Sequence, residues 1–488
     1  MSPRGLWWRA LLALALMAGF YALALGIVVF CYAVSTALVV GGESIPIKLV
    51  FILVVAGSVV LWSVVPRWDR FVAPGPRLDE DAHPRLFSVL REVGRATGQP
   101  VPSAVYLVDD VNAFVMNRGG WMGIGSRPIM GLGLPLLQCL SVDELRAVIA
   151  HEFGHYVGGD TRLGPWLYKT RSALVRTLQN LATAGSLLVF PFSLYLRLFL
   201  RVSHAVSRHQ EFLADQVGVR VAGAGAMGTA LRRVQGVAPA FGQYWRDEVV
   251  PVLVRGRRPP LAAGFAHYLS VPTIATAVGQ VVAQAQTVTR DPYDTHPKLA
   301  DRLAAIGQGT TSTIDLPAVP EPAIQLLGDL ATAEAELIRG LLRDDMPLPE
   351  PIGWLDTGPV IYPAQWAEVV ERETAVRCES ISSLPALLRH PARIGATFAG
   401  VRLSDEPANR LDVARYVASI VIGHVLVQQG WDVRTLPGEP IRLVRGADER
   451  RLIDLVQAVE ADDPDQWRER WNQLGVAGRL FSTPVRNR

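Results

Sequence analysis

The chain has 488 residues and a net charge of only +3, so its charge gives no case for a nucleic-acid partner. Half of its residues are hydrophobic and the mean hydropathy is +0.23, which is high for a soluble protein and indicates membrane segments. The three cysteines, Cys31, Cys139 and Cys378, are far apart and form no CxxC pair. They argue against a disulfide framework or a zinc–thiolate cluster and fit a reducing compartment.

Two apolar stretches near the N-terminus predict a pair of transmembrane helices. Residues 10–40 carry no charge and exceed what a bilayer core of roughly 30 Å requires, and residues 49–65 are close to the minimum spanning length. The first stretch is also too long for the apolar core of a cleaved signal peptide. Arginines precede the first stretch and follow the second, whereas the connector offers only Lys48. We therefore expect a hairpin over residues 1–66 with both ends, and the rest of the chain, in the cytoplasm.

The segment after residue 67 predicts helices together with a few short strands. Residues 83–99 have helical apolar spacing and a glycine stop, "SAVYLVDD" (103–110) is typical of a strand, and the glycine-rich stretch from residue 112 to 135 indicates turns and short strands. In "SVDELRAVIAHEFGHYVGG", Ser141 stands three residues before Glu144, which predicts a capping box at the start of a helix.

The C-terminal third has a different character and shows no catalytic pattern. In chain order we expect a linker at 314–325, a helix at 330–343, a proline-rich break at 347–363, a helix at 364–377, an apolar core helix at 410–429, a strand pair near 431–445 and a polar helix. The predicted fold class is mainly α with a small β-sheet. Its domains are the hairpin at 1–66, a domain at 67–310 and a C-terminal α+β accessory domain at 311–488.

The motif that carries chemistry is "VIAHEFGHYVGGD", residues 148–160. On a helix, His151 and His155 lie on one face and can both present a ring nitrogen to a Zn²⁺ at roughly 2.0–2.1 Å. Glu152 is rotated by about 100°, beside the metal, where a carboxylate can take a proton from water and pass it to a leaving amine. A chance match to HExxH is the alternative.

A third zinc ligand is offered by "SRHQEFLAD", residues 207–215. Glu211 can bind the metal, and Asp215, one turn further on, can accept the N–H of a ligand histidine and so orient its ring. Arg208, three residues before Glu211, can anchor a carboxylate nearby. His209 is the rival ligand, but it lies about 200° around the helix from Glu211, so the two cannot both face the zinc. For Glu211, a solvated surface charge is the alternative.

The apolar stretch at 180–200 lies between the two zinc helices. A single membrane crossing there would put Glu211 and His151 on opposite sides of the membrane, and two crossings would need about 40 apolar residues. We therefore expect a membrane-associated helical hairpin near 163–206 with its turn near Phe190-Pro191-Phe192. Its tip would dip halfway into the bilayer or pack on the first two spans.

Four sequence blocks occur in an order typical of one protein family: "NAF" (112–114), "GLGLPLLQCLSVDELRAVIAHEFGHYVGGD", "SRHQEFLAD" and "THPKLADRL" (295–303). The chain resembles the integral-membrane zinc endopeptidases that include the HtpX heat-shock proteases and the CAAX prenyl endopeptidases. These enzymes are gluzincins, with HExxH plus a distal glutamate in a mostly helical domain with a small sheet. The resemblance covers roughly residues 1–310, and relatives of HtpX type often carry two spans where this chain has 180–200.

The resemblance implies one zinc ion per chain, held by His151, His155 and Glu211, with Glu152 as the base and Asp215 behind the ligands.

It further implies that Asn112, Ala113 and Phe114 belong to an edge strand with which an extended substrate pairs. His296 matches a family histidine near the site, which implies a role in stabilising an oxyanion, and Arg302 matches a following arginine. The "THP" triplet is also a helix-start signal, and both interpretations can hold.

These inferences predict a membrane-bound zinc endopeptidase that cuts misfolded or regulatory membrane proteins at the cytoplasmic face, in protein quality control. We expect a multi-pass protein of a bacterial inner membrane, with polypeptide substrates, the lipid bilayer and no nucleic acid as partners. The alternatives are a CAAX-type peptidase that trims a defined C-terminus and a non-catalytic membrane scaffold.

Overall fold

A computed structural model describes most of the chain. The described residues are 3–41, 46–64, 71–118, 127–157, 164–183, 185, 189–287, 297–309, 319, 321–395, 397–398, 401–403, 406–475 and 482–485. They form two compact units, Met1–Ala238 with Val278–Ala333, and Pro239–Ala277 with Glu334–Arg488. Residues 239–277 thus group with the C-terminal part of the chain, whereas the domain ranges expected from sequence put them in the 67–310 domain; those ranges stay predictions.

The structure is mainly helical with small sheets, which confirms the predicted fold class. The helices are α1 (Pro3–Val40), α2 (Ile47–Val64), α3 (Pro84–Thr97), α4 (Leu134–Cys139), α5 (Val142–Val157), α6 (Gly164–Thr183), α7 (Val189–Tyr244), α8 (Val250–Val254), α9 (Leu261–Ser270), α10 (Pro272–Thr287), α11 (Leu299–Ala305), α12 (Leu330–Leu341), α13 (Trp354–Arg372), α14 (Thr374–Arg377), α15 (Leu384–Arg389), α16 (Pro407–Gln428), α17 (Leu452–Ala461) and α18 (Pro464–Gln473). The strands are β1 (Arg77–Leu78), β2 (Ala104–Val108), β3 (Ala113–Arg118), β4 (Arg127–Gly133), β5 (Arg257–Arg258), β6 (Glu350–Pro351), β7 (Thr397–Phe398), β8 (Val401–Arg402), β9 (Asp432–Arg434), β10 (Arg442–Arg445) and β11 (Asp448–Arg451).

The first two helices pack against each other and are long and apolar enough to cross a membrane, over Leu11–Val40 and Ile47–Val64. This agrees with the two stretches expected from sequence. Within the described residues, α16 also passes this test of length and composition. Its middle is nevertheless buried in the hydrophobic core of the second unit, as the sequence predicts for 410–429.

The helical break within the apolar stretch at 180–200 comes earlier than expected. Helix α6 ends at Thr183 and α7 begins at Val189, so the break between the two helices comes just before the turn predicted near Phe190-Pro191-Phe192. That triplet forms the first turn of α7, where proline is tolerated because its missing N–H has no helical acceptor. Both helices pack on α1 and α2 through a shared apolar cluster.

A four-stranded sheet in the first unit has the order β1-β2-β4-β3, so β3 lies at its edge. Strand β4 pairs in parallel with β2 and antiparallel with β3. These strands confirm the extended segments expected from residues 103–110 and 112–135. The expected helix at 83–99 is α3, which ends at Gly98 in the left-handed conformation, φ 68°.

The second unit contains a three-stranded sheet, β11-β10-β9, where the sequence predicts a strand pair. The proline-rich break expected at 347–363 is largely wrong, because α13 begins at Trp354 and runs through Pro359 and Pro363. Its inner face, including Trp366 and Val370, packs into the same core as α16. Burial of this face outweighs the unfavourable effect of two prolines inside a helix.

Candidate metal centre

Helix α5 is held at its start by the predicted capping box. The Ser141 N–H donates to Glu144 Oε2 at 2.8 Å, and the Glu144 N–H donates to Ser141 Oγ at 3.2 Å. The other oxygen of Glu144 accepts from Arg233 Nε of α7 at 3.1 Å, and both side chains are buried. The cap of α5 is therefore also an ion pair with α7, the helix that carries Glu211.

Small residues bring α5 and α7 into close backbone contact. A Cβ added at Gly154 would lie 2.9 Å from Ala214 Cα, and one added at Gly218 would lie 2.9 Å from the Ala147 carbonyl oxygen. Each glycine thus fits against the other helix where no side chain could. These two contacts flank His151 on α5 and set the distance from the histidines to the acidic residues of α7.

The two histidines face the Glu211 carboxylate. His151 Nε2 lies 3.7 Å from Glu211 Oε2, and His155 Nε2 lies 3.9 Å from Glu211 Oε1. The ligand atoms of His151, Glu152 and His155 all lie within 4.8 Å of one another, the arrangement expected of side chains that can share a metal ion. His151 and Glu211 are buried, and His155 is half-buried.

The far side of His151 contacts Asp215. His151 Nδ1 lies 2.9 Å from Asp215 Oδ1, so Nδ1–H can donate to this carboxylate and leave Nε2 available as a ligand. Arg302 donates from Nε and Nη2 to the two oxygens of Asp215, at 2.8 and 2.6 Å. Burial alone would raise the pKa of Asp215, but the hydrogen bonds from Arg302 and His151 lower it. Asp215 is therefore held as an anion.

Arg302 also reaches the Glu211 carboxylate. Its Nη1 lies 3.5 Å from Glu211 Oε2, so one guanidinium spans Asp215 and Glu211. The planar fork of arginine is suited to holding two carboxylates in a fixed relation. Arg302 thereby fixes the orientation of both side chains relative to α5.

Glu152 lies beside the histidines and is half-buried. Desolvation raises the pKa of Glu152 to about 7, against the lowering effect of His151 and of a hydrogen bond from the Val115 backbone. A carboxyl group with a pKa near the working pH can both accept and release a proton.

The donor set fits a zinc ion. Two ligand atoms bound tetrahedrally to zinc at about 2.0–2.1 Å lie about 3.4 Å apart, and each imidazole lies only a few tenths of an ångström further than this from one of the two Glu211 oxygens. Burial, and then the neighbouring His151, lower the pKa of His155 to about 4. His155 is thus neutral at pH 7, the form that binds a metal.

The edge strand β3 presents its backbone toward Glu152. The Gly133 N–H donates to the Asn112 carbonyl at 2.9 Å, so in an antiparallel pair the alternate positions Ala113, Val115 and Asn117 direct their N–H and C=O groups away from β4. The hydrogen bond from the Val115 backbone to Glu152 agrees with this register. Phe114 instead points across β4, where its ring covers Gly131.

The other predicted site residues lie at different distances from this centre. Asn112 is exposed just before β3, and Ala113 is buried. Arg208 and His209 are half-buried on α7, one turn or less before Glu211. Among the described residues, the Glu211 side chain faces both imidazoles of α5, and His209 shows no contact with them. The predicted role of His296 falls outside the described residues.

Sequence reasoning missed the Gly154–Ala214 contact, the Val115 backbone group and the bridging role of Arg302. The small residues at Ala147, Gly154, Ala214 and Gly218 were a signal of a close helix crossing, but nothing in the sequence says which of them meet.

Comparisons with known proteins agree with this geometry. Residues 80–309 match the model of Peptidase family M48. A protein named "Protease HtpX homolog" from Tropheryma whipplei (strain TW08/27) is 29% identical over 180 residues, 33% of this chain and 60% of the relative. "Protease HtpX" from Ectopseudomonas mendocina (strain ymp) is 26% identical over 204 residues, 37% of this chain and 68% of the relative. A "Protease HtpX homolog" from Thermococcus sibiricus (strain DSM 12597 / MM 739) is 25% identical over 189 residues, 32% of this chain and 59% of the relative.

The chain thus spans about 60% of the length of the first of these relatives. No solved structure gives a significant match. The HExxH helix, the distal glutamate and the matched residues 80–309 agree with one another: residues 80–309 are similar to Peptidase family M48, and the chain is similar to HtpX proteases at modest identity.

Proposed function

We propose that this membrane protein is a zinc-dependent endopeptidase that hydrolyses peptide bonds of membrane or membrane-associated proteins at the cytoplasmic face, in protein quality control. The observation that carries the proposal is the Glu211 carboxylate lying 3.7 and 3.9 Å from the Nε2 atoms of His151 and His155, with Glu152 beside them. A hydrolase needs a base at this position, and a purely structural zinc site does not.

His151, His155 and Glu211 would hold the zinc ion, which supplies Lewis-acid chemistry when bound. Glu152 accepts a proton from the attacking water at its carboxylate and delivers it to the amine that leaves. Its raised pKa suits both steps, because each form of the carboxyl group is accessible near pH 7. Asp215 keeps the tautomer of His151 fixed, and Arg302 holds Asp215.

The substrate would bind as an extended chain along β3. Ala113, Val115 and Asn117 turn their backbone groups away from β4, so an added strand can pair with them. Val115 is the residue whose backbone also contacts Glu152, so pairing there brings a peptide bond of the substrate next to the base. Of the predicted "NAF" segment, this supports a substrate-binding role for Ala113, whereas the backbone groups of Asn112 and Phe114 face β4.

The arginine bias of the N-terminal hairpin supports a cytoplasmic active site. Both α1 and α2 are long enough to span, and α6 and α7 pack on them. His151 and Glu152 lie on α5 and Glu211 lies on α7, and the intervening α6 packs with α7 on the two spans. This connection favours substrates that are themselves at the membrane.

The test is Glu152→Gln in the purified full-length protein, with a model membrane protein as substrate. We expect unchanged zinc content and a loss of cleavage of about 10²–10⁴-fold, the usual contribution of a positioned base. Glu336→Gln changes an exposed carboxylate on α12 in the same way and serves as the control. Cleavage by Glu152→Gln at the wild-type rate would refute the mechanism and favour a scaffold or another catalytic centre.

The products decide between an endopeptidase and a CAAX-type processing enzyme. Internal fragments of several different membrane proteins support the proposal. Removal of a short C-terminal peptide alone, with no internal cuts, would support C-terminal processing instead.

A further inference from the structure

The first three turns of α7, residues 189–200, have two apolar faces. One face is buried against α1: Phe192 and Phe199 are almost completely buried and pack with Phe20 and Ala24. The Tyr195 hydroxyl donates to the Leu16 carbonyl of α1 on the same side. This segment therefore lies alongside α1.

The opposite face is an exposed apolar stripe. Phe190, Leu194 and Leu198 are exposed to 76%, 60% and 49%, and their spacing of four residues puts them on one side of the helix. Exposing such a contiguous apolar stripe to water is unfavourable. Stripes of this kind on a protein surface usually mark a site that a membrane or a partner covers.

The position of this stripe indicates what covers it. Its partners on α1, from Leu16 to Ala24, lie inside the stretch Leu11–Val40 that is apolar enough to span a membrane. The outer surface of α1 is also apolar at this level, for example at Leu25, which is 62% exposed. From Phe190 to Leu194, the stripe on α7 thus continues the apolar outer surface of α1.

The first charged residue of α7 is Arg197, which lies in the last turn of the stripe, between Leu194 and Leu198. Arg197 and Arg201 are exposed on the same side, at the end that leads toward Glu211. Arginine side chains at such a boundary extend to the phosphates of the headgroups. Moving along α7 from Tyr195 to Phe192 leads along α1 from Leu16 to Phe20, so the start of α7 points further into the span.

We propose that lipid acyl chains cover the stripe Phe190-Leu194-Leu198, so that α7 begins inside the leaflet on the active-site side and leaves it without crossing the bilayer. The α6 side of the hairpin fits this arrangement. Asn180 donates to Ser63 Oγ at 2.8 Å and Arg176 to the Ser63 carbonyl at 3.5 Å, next to the described end of α2 at Val64. The inference concerns the membrane contact and does not depend on peptidase activity.

The experiment measures depth directly. Bimane is attached to Phe190→Cys, Leu194→Cys or Leu198→Cys in a Cys378→Ser background, which removes the exposed native cysteine and leaves two buried ones. Each protein is reconstituted in liposomes that contain lipids with nitroxides on the acyl chains. Leu355→Cys is the control, because Leu355 is 70% exposed on α13 and carries the same side chain.

We expect acyl-chain quenching several-fold stronger at the three α7 positions than at Leu355, deepest at Phe190, and the reverse order for quenching by aqueous iodide. Equal lipid quenching at all positions would overturn the proposal. So would efficient disulfide cross-linking of Leu194→Cys between two copies, since a second copy would then cover the stripe. Zinc content confirms that each labelled protein is folded, and the three positions are scored independently, so the loss of one variant leaves the test intact.

Discussion

Replacing Gly154 by alanine tests whether the contact between α5 and α7 sets the geometry of the metal centre. The new Cβ would lie 2.9 Å from Ala214 Cα, 3.2 Å from Val217 Cβ and 3.3 Å from Ala214 Cβ. Carbon atoms in contact prefer about 3.5–4.0 Å, so α7 has to move away from α5 by about 0.6 Å or more. The nearest atom belongs to the backbone of a helix, so a rotamer change cannot relieve the clash.

Two opposing effects decide the stability of this variant. Overpacking a tight contact costs about 1–3 kcal/mol, while alanine in place of glycine inside a helix contributes about 1 kcal/mol. We therefore expect a net loss of at most about 2 kcal/mol. The larger effect falls on zinc binding, because Glu211 and Asp215 lie on the displaced helix, one turn on either side of Ala214 or closer.

We expect Gly154→Ala to bind zinc about 10–100-fold more weakly, the usual result of disturbing the groups that orient metal ligands. A competition titration with a chromogenic chelator in detergent measures this affinity. Gly225→Ala on α7 is the matched control, because nothing lies within 4 Å of its added Cβ. Wild-type zinc affinity and an unfolding midpoint equal to that of Gly225→Ala would refute the idea that this crossing positions the ligands.

Three further predictions follow from contacts around the site. Arg302→Met should weaken zinc binding about 10–100-fold, since Asp215 loses both of its guanidinium hydrogen bonds, and it should also lower the free energy of unfolding because Asp215 is buried. Unchanged affinity in the same chelator titration would contradict this. Arg233→Met leaves the buried Glu144 carboxylate without this ion pair and should cost about 3–5 kcal/mol in unfolding free energy. The added change Glu144→Gln should partly restore this stability. A cost below about 1 kcal/mol would show that the pair is not structurally important. Asn117→Pro removes an N–H that faces away from β4, so the sheet should persist while cleavage falls, whereas Asn117→Ala should cleave normally; equal cleavage by both would exclude pairing of the substrate at this position.

The helix spacings within the candidate metal centre could be predicted from the sequence, because each of them is local. The spacing of His151 and His155 and the spacing of Glu211 and Asp215 are fixed by helix periodicity, and the cap at Ser141 is fixed by residues three positions apart. Joining the two helices across 60 residues required one further assumption, a shared zinc ion. The structure places His151, His155 and Glu211 close together, and their role as zinc ligands stays a prediction.

Long-range packing explains what the sequence did not predict. The turn before α7 was expected at the proline, but Pro191 is accommodated in the first turn of the helix, and the break falls before Val189. Helix α13 likewise runs through Pro359 and Pro363 because its other side chains are buried in the core. In both places proline was interpreted as a helix breaker, although its effect depends on the position in the helix and on the packing around it.

Helix α7 has helical backbone angles without interruption from Val189 until Gly223, so it connects the lipid-facing stripe to the metal centre as one rigid element. From Leu198 to Glu211 it rises by about 20 Å at 1.5 Å per residue, and a tilt of the helix lowers this height. An extended chain at about 3.3 Å per residue covers that distance in about six residues. The length of this helix would then set how many residues separate the cleavage site from the end of the substrate's own transmembrane segment. In a series of substrates with lengthened spacers, that number of residues should stay the same while the sequence at the cleavage site changes.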